Sequence, residues 1–408
     1  MVIGWSALRS AVRWRGAPSV LVRGGALLST VMLLTACGGG STPTAANTSA
    51  NTGSGWTAQG PDPAQELANL KDKVLALGPN GESPVSAATL SLSDAEIQQI
   101  KAKHATAAIV FHSTAGVWAT AQQQAQQAEF EKLGIKVVAV TNANFVASTQ
   151  VSDIETVLAL KPDVIVSLPV DAVAEAPTYR KAVEQGVKLV FMDNIPKDFV
   201  AGQDYVSDVS ADNTGNGVVA GYLCAQAMNG TGTIGLAYFN DQSFFVTKER
   251  YDGFKSTIQK YPGIKIVDEQ GVGGPDFVAN TDRIASAMLI KHPDLTAIWG
   301  NWSEFAQGSL EAARTAGRND LAICTEDLDE NMALSMLQGG PVKALGSQRP
   351  YDQGTAEAML AGYALIGKQA PPYVALPPLG VTKDNVLDAW RSVYHQEPPQ
   401  SLLDAAHK

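Results

Sequence analysis

One phrase that occurs twice places the strongest constraint on the fold: a helix end, a Pro-Asp pair, an apolar strand and a polar turn. In the second half, residues 289–294 lead into an apolar run at 295–299 and then the turn Gly300-Asn301-Trp302-Ser303. In the first half, Pro162-Asp163 leads into residues 164–167 and a Pro-rich turn. This repeat predicts two related α/β halves. Open α/β sheets bind ligands beyond the carboxyl ends of their strands, so a ligand between the halves is expected.

Beyond Ala105, β-rich apolar runs alternate with helical patterns, which is typical of parallel βαβ units. Gly134, Gly186 and Gly317 each follow a predicted helix, where a left-handed backbone can end it. The fold class predicted is therefore α/β, with two doubly wound, Rossmann-like lobes. The predicted strands are residues 107–111, 136–140, 164–168, 189–192, 233–237, 264–268, 295–299, 321–325 and 343–347.

The chain is expected to change lobe near residues 210–213 and to return near 348–352. The Pro-rich stretch 371–378 is expected to run extended over the surface, and Pro398-Pro399 to end regular structure. The predicted parts are a signal peptide at 1–36, a flexible tether at 37–60, a partly helical extension at 61–104, lobe 1 at 105–211 plus about 349–378, lobe 2 with a C-terminal helix at 212–348 plus about 379–395, and a tail at 396–408.

The N-terminus has the pattern of an export signal. Four arginines precede an apolar run at 26–34 that is too short to span a bilayer. The run ends in Leu34-Thr35-Ala36-Cys37, which resembles the bacterial lipobox and implies cleavage before Cys37 and a lipid on its sulfur. A secretory signal with an incidental cysteine is the alternative. The tether that follows is rich in Gly, Ser, Thr and Ala, a composition that does not favour ordered structure.

Charge and cysteine content narrow the function classes. The formal net charge of the 408 residues is -10, and no run of Lys and Arg follows the first 23 residues, so a nucleic-acid partner is not expected. Cys224 and Cys324 both lie in apolar surroundings, which favours two buried thiols. A disulfide between them is the alternative, since sequence does not give the geometry it needs.

Motifs for catalysis, cofactors or metals do not emerge. The pattern Gly230-Thr231-Gly232-Thr233-Ile234-Gly235 precedes a strand instead of following one, so it lacks the helix N-terminus that would hold a pyrophosphate. A Gly-Lys-Ser/Thr loop and a Gly-x-Ser-x-Gly elbow are absent, and the five histidines show no metal-ligand spacing. We therefore expect no cofactor, no metal and no enzymatic activity.

Aromatic and hydrogen-bonding residues recur just after the predicted strands. Such a mixture suits a polyhydroxylated ligand, whose C–H faces lie on rings while its hydroxyls need both donors and acceptors. Taken singly, each residue has a plainer interpretation, such as core packing for a Trp or helix capping for an Asp. The strand-end candidates are Trp118, Asp193, Asn194, Asn301, Trp302, Glu326, Asp327 and Gln348.

In the order of its short motifs, the chain resembles the type I periplasmic binding proteins, in particular the ribose-binding-protein group of ABC-importer receptors. The likeness runs from about residue 105 to 378. It rests on Glu131-Lys132-Leu133-Gly134, Asp193, Ala211-Asp212-Asn213, Ala220-Gly221, Arg250-Tyr251-Asp252-Gly253-Phe254, His292-Pro293-Asp294, Asp327 and Asp352-Gln353-Gly354.

The resemblance implies two lobes joined by a multi-strand hinge, with ligand bound between them. It implies stacking aromatics at Trp118 and, with a one-residue shift, at Phe277. The hydroxyl-binding carboxylate of the first lobe would be Asp193. Polar contacts of the second lobe and hinge would come from Arg250, Asp327 and Gln348.

Three departures from the family pattern bear on the ligand. Asn194 stands where sugar receptors of this group usually have Arg, Trp302 stands beside Asn301 where they often have Asn, and Ala119 replaces a second aromatic. These changes predict a less charged and smaller pocket. A short polyol, such as a tetritol or pentitol, becomes a candidate beside a monosaccharide.

The sequence thus predicts an exported, lipid-anchored and monomeric solute-binding protein. It would capture a monosaccharide or sugar alcohol and deliver it to the permease of an ABC importer. One alternative is a receptor that reports a furanose-like signal molecule to a sensor. Another is a carbohydrate-acting enzyme, which the missing nucleophile and metal motifs disfavour.

Overall fold

The computed structural model describes residues 55–241 and 244–407. The predicted signal peptide, Cys37 and most of the tether lie outside these residues. None of the helices in the described part combines the length and the apolar character that a membrane crossing requires. The described chain forms two sheets with helices on their faces, and the predicted α/β class is confirmed.

The first sheet has seven strands in the order β1-β12-β6-β5-β4-β2-β3. Its strand pairs are parallel throughout. The strands are β1 (Val85–Ser86), β2 (Thr106–Phe111), β3 (Lys136–Asn142), β4 (Val164–Ser167), β5 (Lys188–Met192), β6 (Ser207–Ala211) and β12 (Tyr373–Leu376). We call this sheet and the helices packed on it lobe 1.

The second sheet, the centre of lobe 2, has six strands in the order β13-β11-β10-β9-β7-β8. They are parallel except β13, which pairs antiparallel with β11. The strands are β7 (Gly232–Phe239), β8 (Ile264–Val272), β9 (Ala297–Gly300), β10 (Ala322–Glu326), β11 (Val342–Ser347) and β13 (Leu379–Val381).

Thirteen α-helices and a 3-10 turn at Ala87–Thr89 complete the described residues. Gly134, at φ 70°, ends α3 as its spacing predicts. The helices are α1 (Pro63–Leu70), α2 (Asp94–Lys101), α3 (Gly116–Leu133), α4 (Ala147–Ala159), α5 (Ala176–Glu184), α6 (Asn213–Ala227), α7 (Phe245–Ile258), α8 (Phe277–Lys291), α9 (Ser303–Thr315), α10 (Glu330–Leu337), α11 (Pro350–Ile366), α12 (Val386–Tyr394) and α13 (Gln400–Ala406).

The two sheets share one internal order, which confirms the prediction of two related halves. The run β6-β5-β4-β2-β3 in lobe 1 corresponds, strand for strand, to β11-β10-β9-β7-β8 in lobe 2. The twice-occurring phrase of the sequence therefore surrounds two equivalent strands, β4 and β9. Every strand predicted from the sequence is present, and no end is shifted by more than four residues.

Three segments carry the chain between the sheets. They connect β6 to α6, β11 to α11, and β12 to β13. The strands they join lie toward the β1–β12 side of the first sheet and the β13 side of the second. We call this the crossing side of the molecule and the opposite side, which holds β2 and β3 in lobe 1 and β7 and β8 in lobe 2, the outer side.

Several local predictions were wrong. The stretch 371–378 is not a surface segment, because β12 is buried between β1 and β6. Regular structure does not end at Pro398-Pro399, because helix α13 follows and contacts α10. The extension, predicted to be partly helical, begins with α1, which ends at Leu70. A capping box precedes α2, with Ser93 and Glu96 bonded reciprocally.

The extension spans both lobes. Helix α1 packs on α6 of lobe 2, whereas α2 packs on α3 and α11 of lobe 1. Between them, the backbone N–H groups of Leu75 and Ala76 donate to the Asp212 carboxylate at 2.6 and 2.9 Å. Asp212 also caps α6 through the Gly215 N–H, so the extension is fixed to a segment that crosses between the sheets.

Cys224 and Cys324 form a disulfide, so the prediction of two thiols was wrong. Helix α6 packs against β10 and β11, which brings the two Cα atoms to 5.8 Å although 100 residues separate them in sequence. This distance is ordinary for a disulfide. The apolar sequence around each cysteine predicts that both are buried, but it does not indicate that the two lie next to each other in the fold.

Candidate functional site

A cavity of about 530 Å³ lies between the lobes, beyond the carboxyl ends of their strands. This is the position in which doubly wound sheets bind ligands, and the volume falls in the usual range of ligand pockets, roughly 300–1,000 Å³. Seven of the nine predicted ligand-binding residues line it: Trp118, Asp193, Arg250, Phe277, Trp302, Asp327 and Gln348.

Asp193 and Asp327 occupy equivalent places in the two halves, directly after β5 and just after β10. Both have a left-handed backbone, with φ of 58° and 66°, which Asp adopts more readily than most residues. Each backbone N–H donates to the adjacent strand: Asp193 to the Val209 carbonyl at 3.0 Å and Asp327 to the Gly346 carbonyl at 3.1 Å. The repeated fold thus delivers one carboxylate to the cavity from each lobe.

On the lobe 2 side, a hydrogen-bond network holds the polar residues in place. Gln348 donates to Asp327 at 2.7 Å and accepts from Trp118 Nε1 of lobe 1 at 3.2 Å. The Arg250 guanidinium donates to Asp327 at 3.3 Å and is 95% buried. A buried guanidinium with a carboxylate partner is ready to donate to a ligand hydroxyl as well.

The same network continues through a crossing segment to lobe 1. Arg250 Nε donates to Asn213 Oδ1 at 2.8 Å, and Asn213 donates to Ser210 Oγ at 3.1 Å. Ser210 in turn donates to Asp193 at 2.7 Å, and Gln353 of α11 donates to the same Asp193 oxygen at 3.2 Å. The polar groups of both lobes are therefore mechanically connected across the crossing side.

Burial changes the electrostatics of these carboxyls. It raises the pKa of Asp193 above its usual range, although the Ser210 hydroxyl and the Arg250 charge counteract part of the effect. Burial also raises the pKa of Glu326 and Glu357 well above the ordinary range, which favours their protonated forms. A protonated carboxyl has one donor O–H besides its acceptor oxygen.

Aromatic rings dominate the outer side of the cavity. Trp302 is the N-cap residue of α9 and packs on Phe305 at 4.2 Å, on Phe277 at 4.9 Å and on Phe239 at 5.6 Å between ring centroids. Its Nε1 donates to Glu304 at 2.8 Å. Trp302 is thus part of a ring cluster of lobe 2 and presents an edge of that cluster to the cavity.

Several lining residues were missed at the sequence level. Phe145 lies after β3, Phe239 ends β7 and Phe244 precedes α7; all three line the cavity. Phe145 has a φ of 58°, which is a real outlier for a bulky side chain and costs on the order of 1–3 kcal/mol. The only sign in the sequence that these residues face a ligand was their position after a strand. A phenylalanine at such a position is more often part of the core.

His112, directly after β2, was missed too. Its ring packs on Phe145 at 4.8 Å, on Trp118 at 5.7 Å and on Phe244 at 5.8 Å. Desolvation by burial lowers its pKa to about 3, so the imidazole is neutral at physiological pH. Within the described residues its Nδ1 has no hydrogen-bond partner, which leaves this atom for a ligand.

Two predicted site residues lie outside the cavity lining. Asn301 supports the loop around it, accepting from the Phe239 N–H at 3.2 Å and donating to the Thr247 carbonyl at 3.1 Å. Asn194 donates to the Pro169 carbonyl at 3.3 Å and is buried behind Asp193. Glu326, the other strand-end acid, accepts from Trp299 Nε1 at 3.3 Å inside lobe 2. The Asn301 and Asn194 side chains hold backbone segments in place.

The arrangement is suited to binding. Among residues 55–241 and 244–407, no group of three or more His, Cys, Asp or Glu side chains is placed to hold a metal ion. Hydrogen bonds connect the polar groups of both lobes, with the Trp118 ring among them, and a cluster of rings from both lobes lies toward the outer side.

Residues 107–369, more than half of the chain, match the periplasmic binding protein domain family. The chain belongs to this family. As a periplasmic binding protein, it shares its two-sheet architecture with many solved structures. One of them is an ABC sugar transporter subunit from Rhodobacter sphaeroides. Its structure superposes on this chain with a TM-score of 0.61 and 27% sequence identity, over 69% of this chain and 99% of that one.

Relatives of this periplasmic binding protein include a D-ribose/D-allose-binding protein of Pseudomonas aeruginosa. It is 29% identical over 223 residues, which are 53% of this chain and 68% of the relative. A solute-binding protein of an ABC transporter from Agrobacterium vitis, solved with bound allitol, has a TM-score of 0.62 at 23% identity, over 70% of this chain and 98% of that one. The resemblance stated from the sequence is confirmed at the level of the family.

Proposed function

We propose that this protein captures a monosaccharide or sugar alcohol between its lobes and presents it to the permease of an ABC importer. The observation that carries the proposal is the meeting of two equivalent carboxylates, Asp193 and Asp327, with Arg250 and Gln348 in the cavity between the lobes. Sugars and polyols offer neighbouring hydroxyls that both donate and accept, and this set can satisfy them. The named relatives bind ribose, allose and allitol, which supports this class.

The proposed mechanism is closure of the lobes on the ligand. Trp118 and Phe145 of lobe 1 contact Gln348 and Phe277 of lobe 2 across the cavity. A ligand that bonds to both lobes stabilises the closed arrangement, because it has its full set of contacts only there. A permease that recognises the closed form would then receive only loaded protein. The ligand leaves chemically unchanged.

A thermal-shift screen tests the function. The panel holds aldoses, alditols, amino acids and short peptides, each at millimolar concentration. A ligand that binds only the native state raises the melting temperature, so we expect an aldose or alditol to do so. Stabilisation by amino acids or peptides alone would refute the proposed ligand class.

The location of the protein is a separate part of the proposal. We infer an exported protein that is attached to the outer face of the cell membrane through a lipid on Cys37 and that acts as a monomer. The support is the lipobox-like sequence ahead of Cys37 and the low-complexity stretch that follows it. Mass spectrometry of the mature N-terminus should find a lipid-modified Cys37, and Cys37→Ala should release the protein from membranes. An unmodified Cys37 in membrane fractions would contradict the anchor.

A further inference from the structure

Polar and apolar residues of the cavity are separated by strand order. The polar set Asp193, Arg250, Asp327 and Gln348 lies on or beside β5, β10 and β11, toward the crossing side. The lining residues that follow or end β2, β3, β7 and β8 of the outer side, and β9 beside β7, are mostly aromatic: His112, Phe145, Phe239, Phe244, Phe277 and Trp302. We call these two groups the polar end and the ring end of the cavity.

Apart from His112, whose Nδ1 has no partner in the described residues, the polar side chains near the ring end already bond to protein groups. Glu304 accepts from Trp302 Nε1 at 2.8 Å, and Ser113 Oγ accepts from the Ala115 N–H at 3.2 Å. Asn144 is exposed at the rim, where it accepts from Asn142 at 3.0 Å. A ligand with hydroxyls along its whole length would therefore place some of them against phenyl rings, and buried hydroxyls without partners are unfavourable.

The rings of the two lobes also meet one another around this end. The ring centroid of Phe145 in lobe 1 lies 5.6 Å from that of Phe277 and 6.2 Å from that of Phe244 in lobe 2. The ring centroids of His112 and Phe244 are 5.8 Å apart. Together with the left-handed backbone that turns Phe145 toward the cavity, this gives an apolar compartment made by both lobes. It closes only when the lobes approach, so an apolar group inside it would favour closure.

We propose that the natural ligand is a sugar or polyol that carries a compact apolar substituent, between a methylthio group and a phenyl ring in size. The hydroxylated part lies at the polar end, and the substituent lies among Phe145, Phe244, Phe277 and Trp302. This inference rests on the proposed function and narrows its ligand class. A tetritol or pentitol alone would satisfy the polar end and leave the ring end unfilled.

His112 defines the boundary between the two ends. Its neutral ring packs on Trp118 and Phe145, and its unpartnered Nδ1 donates or accepts according to the tautomer. This atom is suited to the oxygen or sulfur that links a sugar to its substituent, or to the hydroxyl next to that linkage.

Titration calorimetry with matched ligands tests the inference. D-Ribose, D-allose and D-xylose are each compared with their phenyl β-glycosides, and D-ribose also with 5-deoxy-5-methylthio-D-ribose. At least one substituted compound should bind about tenfold or more tightly than its parent sugar, the scale on which an enclosed apolar group discriminates. If parents bind and every substituted form binds equally or more weakly, the inference fails and the proposed function stands. If neither form of any of these sugars binds, the inference fails, and the thermal-shift screen of aldoses and alditols decides the proposed function.

Two variants localise the effect. Phe145→Ala should bring the affinity ratio of substituted to parent compound to within about twofold of one, because the substituent loses its enclosure. Asp193→Asn should weaken both compounds and leave their ratio unchanged. Val173→Ala, an exposed apolar position in lobe 1 outside the cavity lining, is the matched control and should retain wild-type affinities. An unchanged ratio in well-folded Phe145→Ala would overturn the assignment of the ring end.

Discussion

Single residues connect the fold to recognition through their backbone as much as through their side chains. Asp193 and Asp327 have left-handed backbones at equivalent strand ends, and each donates its N–H to the neighbouring strand. A carboxylate held in this way cannot turn aside when water leaves the cavity. The arrangement has an unfavourable local backbone energy, which is common at positions that are preorganised for binding.

Asp193→Asn should therefore weaken binding of the cognate sugar or polyol without unfolding the protein. Asparagine has the same size and tolerates the left-handed backbone, but it replaces an acceptor oxygen by a donor amide beside Ser210 and Gln353. We expect a loss of affinity of roughly tenfold to a few hundredfold by titration calorimetry, since a buried polar group is left without a partner. Wild-type affinity in this variant would remove Asp193 from the site.

His112 gives a pH-dependent prediction. Its pKa falls from an ordinary 6.5 to about 3 in the folded protein, so the unfolded chain binds the extra proton between these values. Stability must therefore fall as the pH drops below 6.5. From pH 7 to pH 5, wild type should lose about 2 kcal/mol more unfolding free energy than His112→Asn, from denaturant titrations without ligand. Equal losses in the two proteins would mean that His112 is not buried in its neutral form.

At the scale of elements, α6 connects much of the molecule. It carries Cys224 of the disulfide to β10, packs on α7, and receives α1 of the extension on its other side. Its N-terminus is capped by Asp212, which also binds the extension. Helix α6 is thus the element through which the extension, the crossing segment and lobe 2 influence one another.

The disulfide should stabilise lobe 2 but should not be needed for recognition, because neither cysteine lines the cavity. Closing a long loop restricts the unfolded chain, so Cys224→Ala with Cys324→Ala should reduce the unfolding free energy by about 2–4 kcal/mol. Denaturant titrations of wild type with and without a reductant provide the control, since only wild type should respond to it. Identical wild-type curves in both conditions would show that the bond does not form.

The sequence could predict the strands that consist of apolar residues, and it missed those that contain buried polar residues or lie between prolines. Strands such as β4 and β9 are apolar runs between helix-ending signals, and they were predicted within a few residues. Strand β6 contains the buried polar residues Ser207, Asp208 and Ser210, so its low hydropathy does not indicate a buried strand. Strand β12 is flanked by prolines that normally indicate a loop, and its partners β1 and β6 are distant in sequence.

Some residues of the candidate site could be predicted from the sequence and others could not. Residues directly after apolar strands, such as Asp193 and Asp327, could be anticipated because parallel strands end at one edge. Asn301 and Asn194 have the same sequence position, but their amides bind the backbone instead of facing the cavity. The ring end could not be predicted, because the meeting of Phe145 with Phe277 depends on how two separate sheets face each other.

At the scale of the whole molecule, two similar sheets, three crossing segments and one extension make a two-lobed receptor. The polar network runs from Gln348 in lobe 2 through Arg250 and Ser210 to Asp193 in lobe 1. Rings complete the opposite end of the cavity. The architecture therefore couples ligand contacts to the relative position of the lobes.

Closure can be measured by small-angle X-ray scattering. Saturation with the cognate ligand should decrease the radius of gyration of wild type, because bonds to both lobes favour the closed form. Asp193→Asn at the same ligand concentration should stay near the ligand-free value. A ligand that binds tightly while the radius of gyration stays constant would argue against the hinge mechanism.

The central claim is that a hydroxylated small molecule binds between the lobes at Asp193 and Asp327. A crystal structure of the protein with the best ligand from the thermal-shift screen tests it most directly. We predict that ligand hydroxyls lie within hydrogen-bonding distance, about 2.5–3.2 Å, of both carboxylates and of Arg250 or Gln348. A ligand bound outside this cavity, or inside it without contact to either carboxylate, would contradict the account.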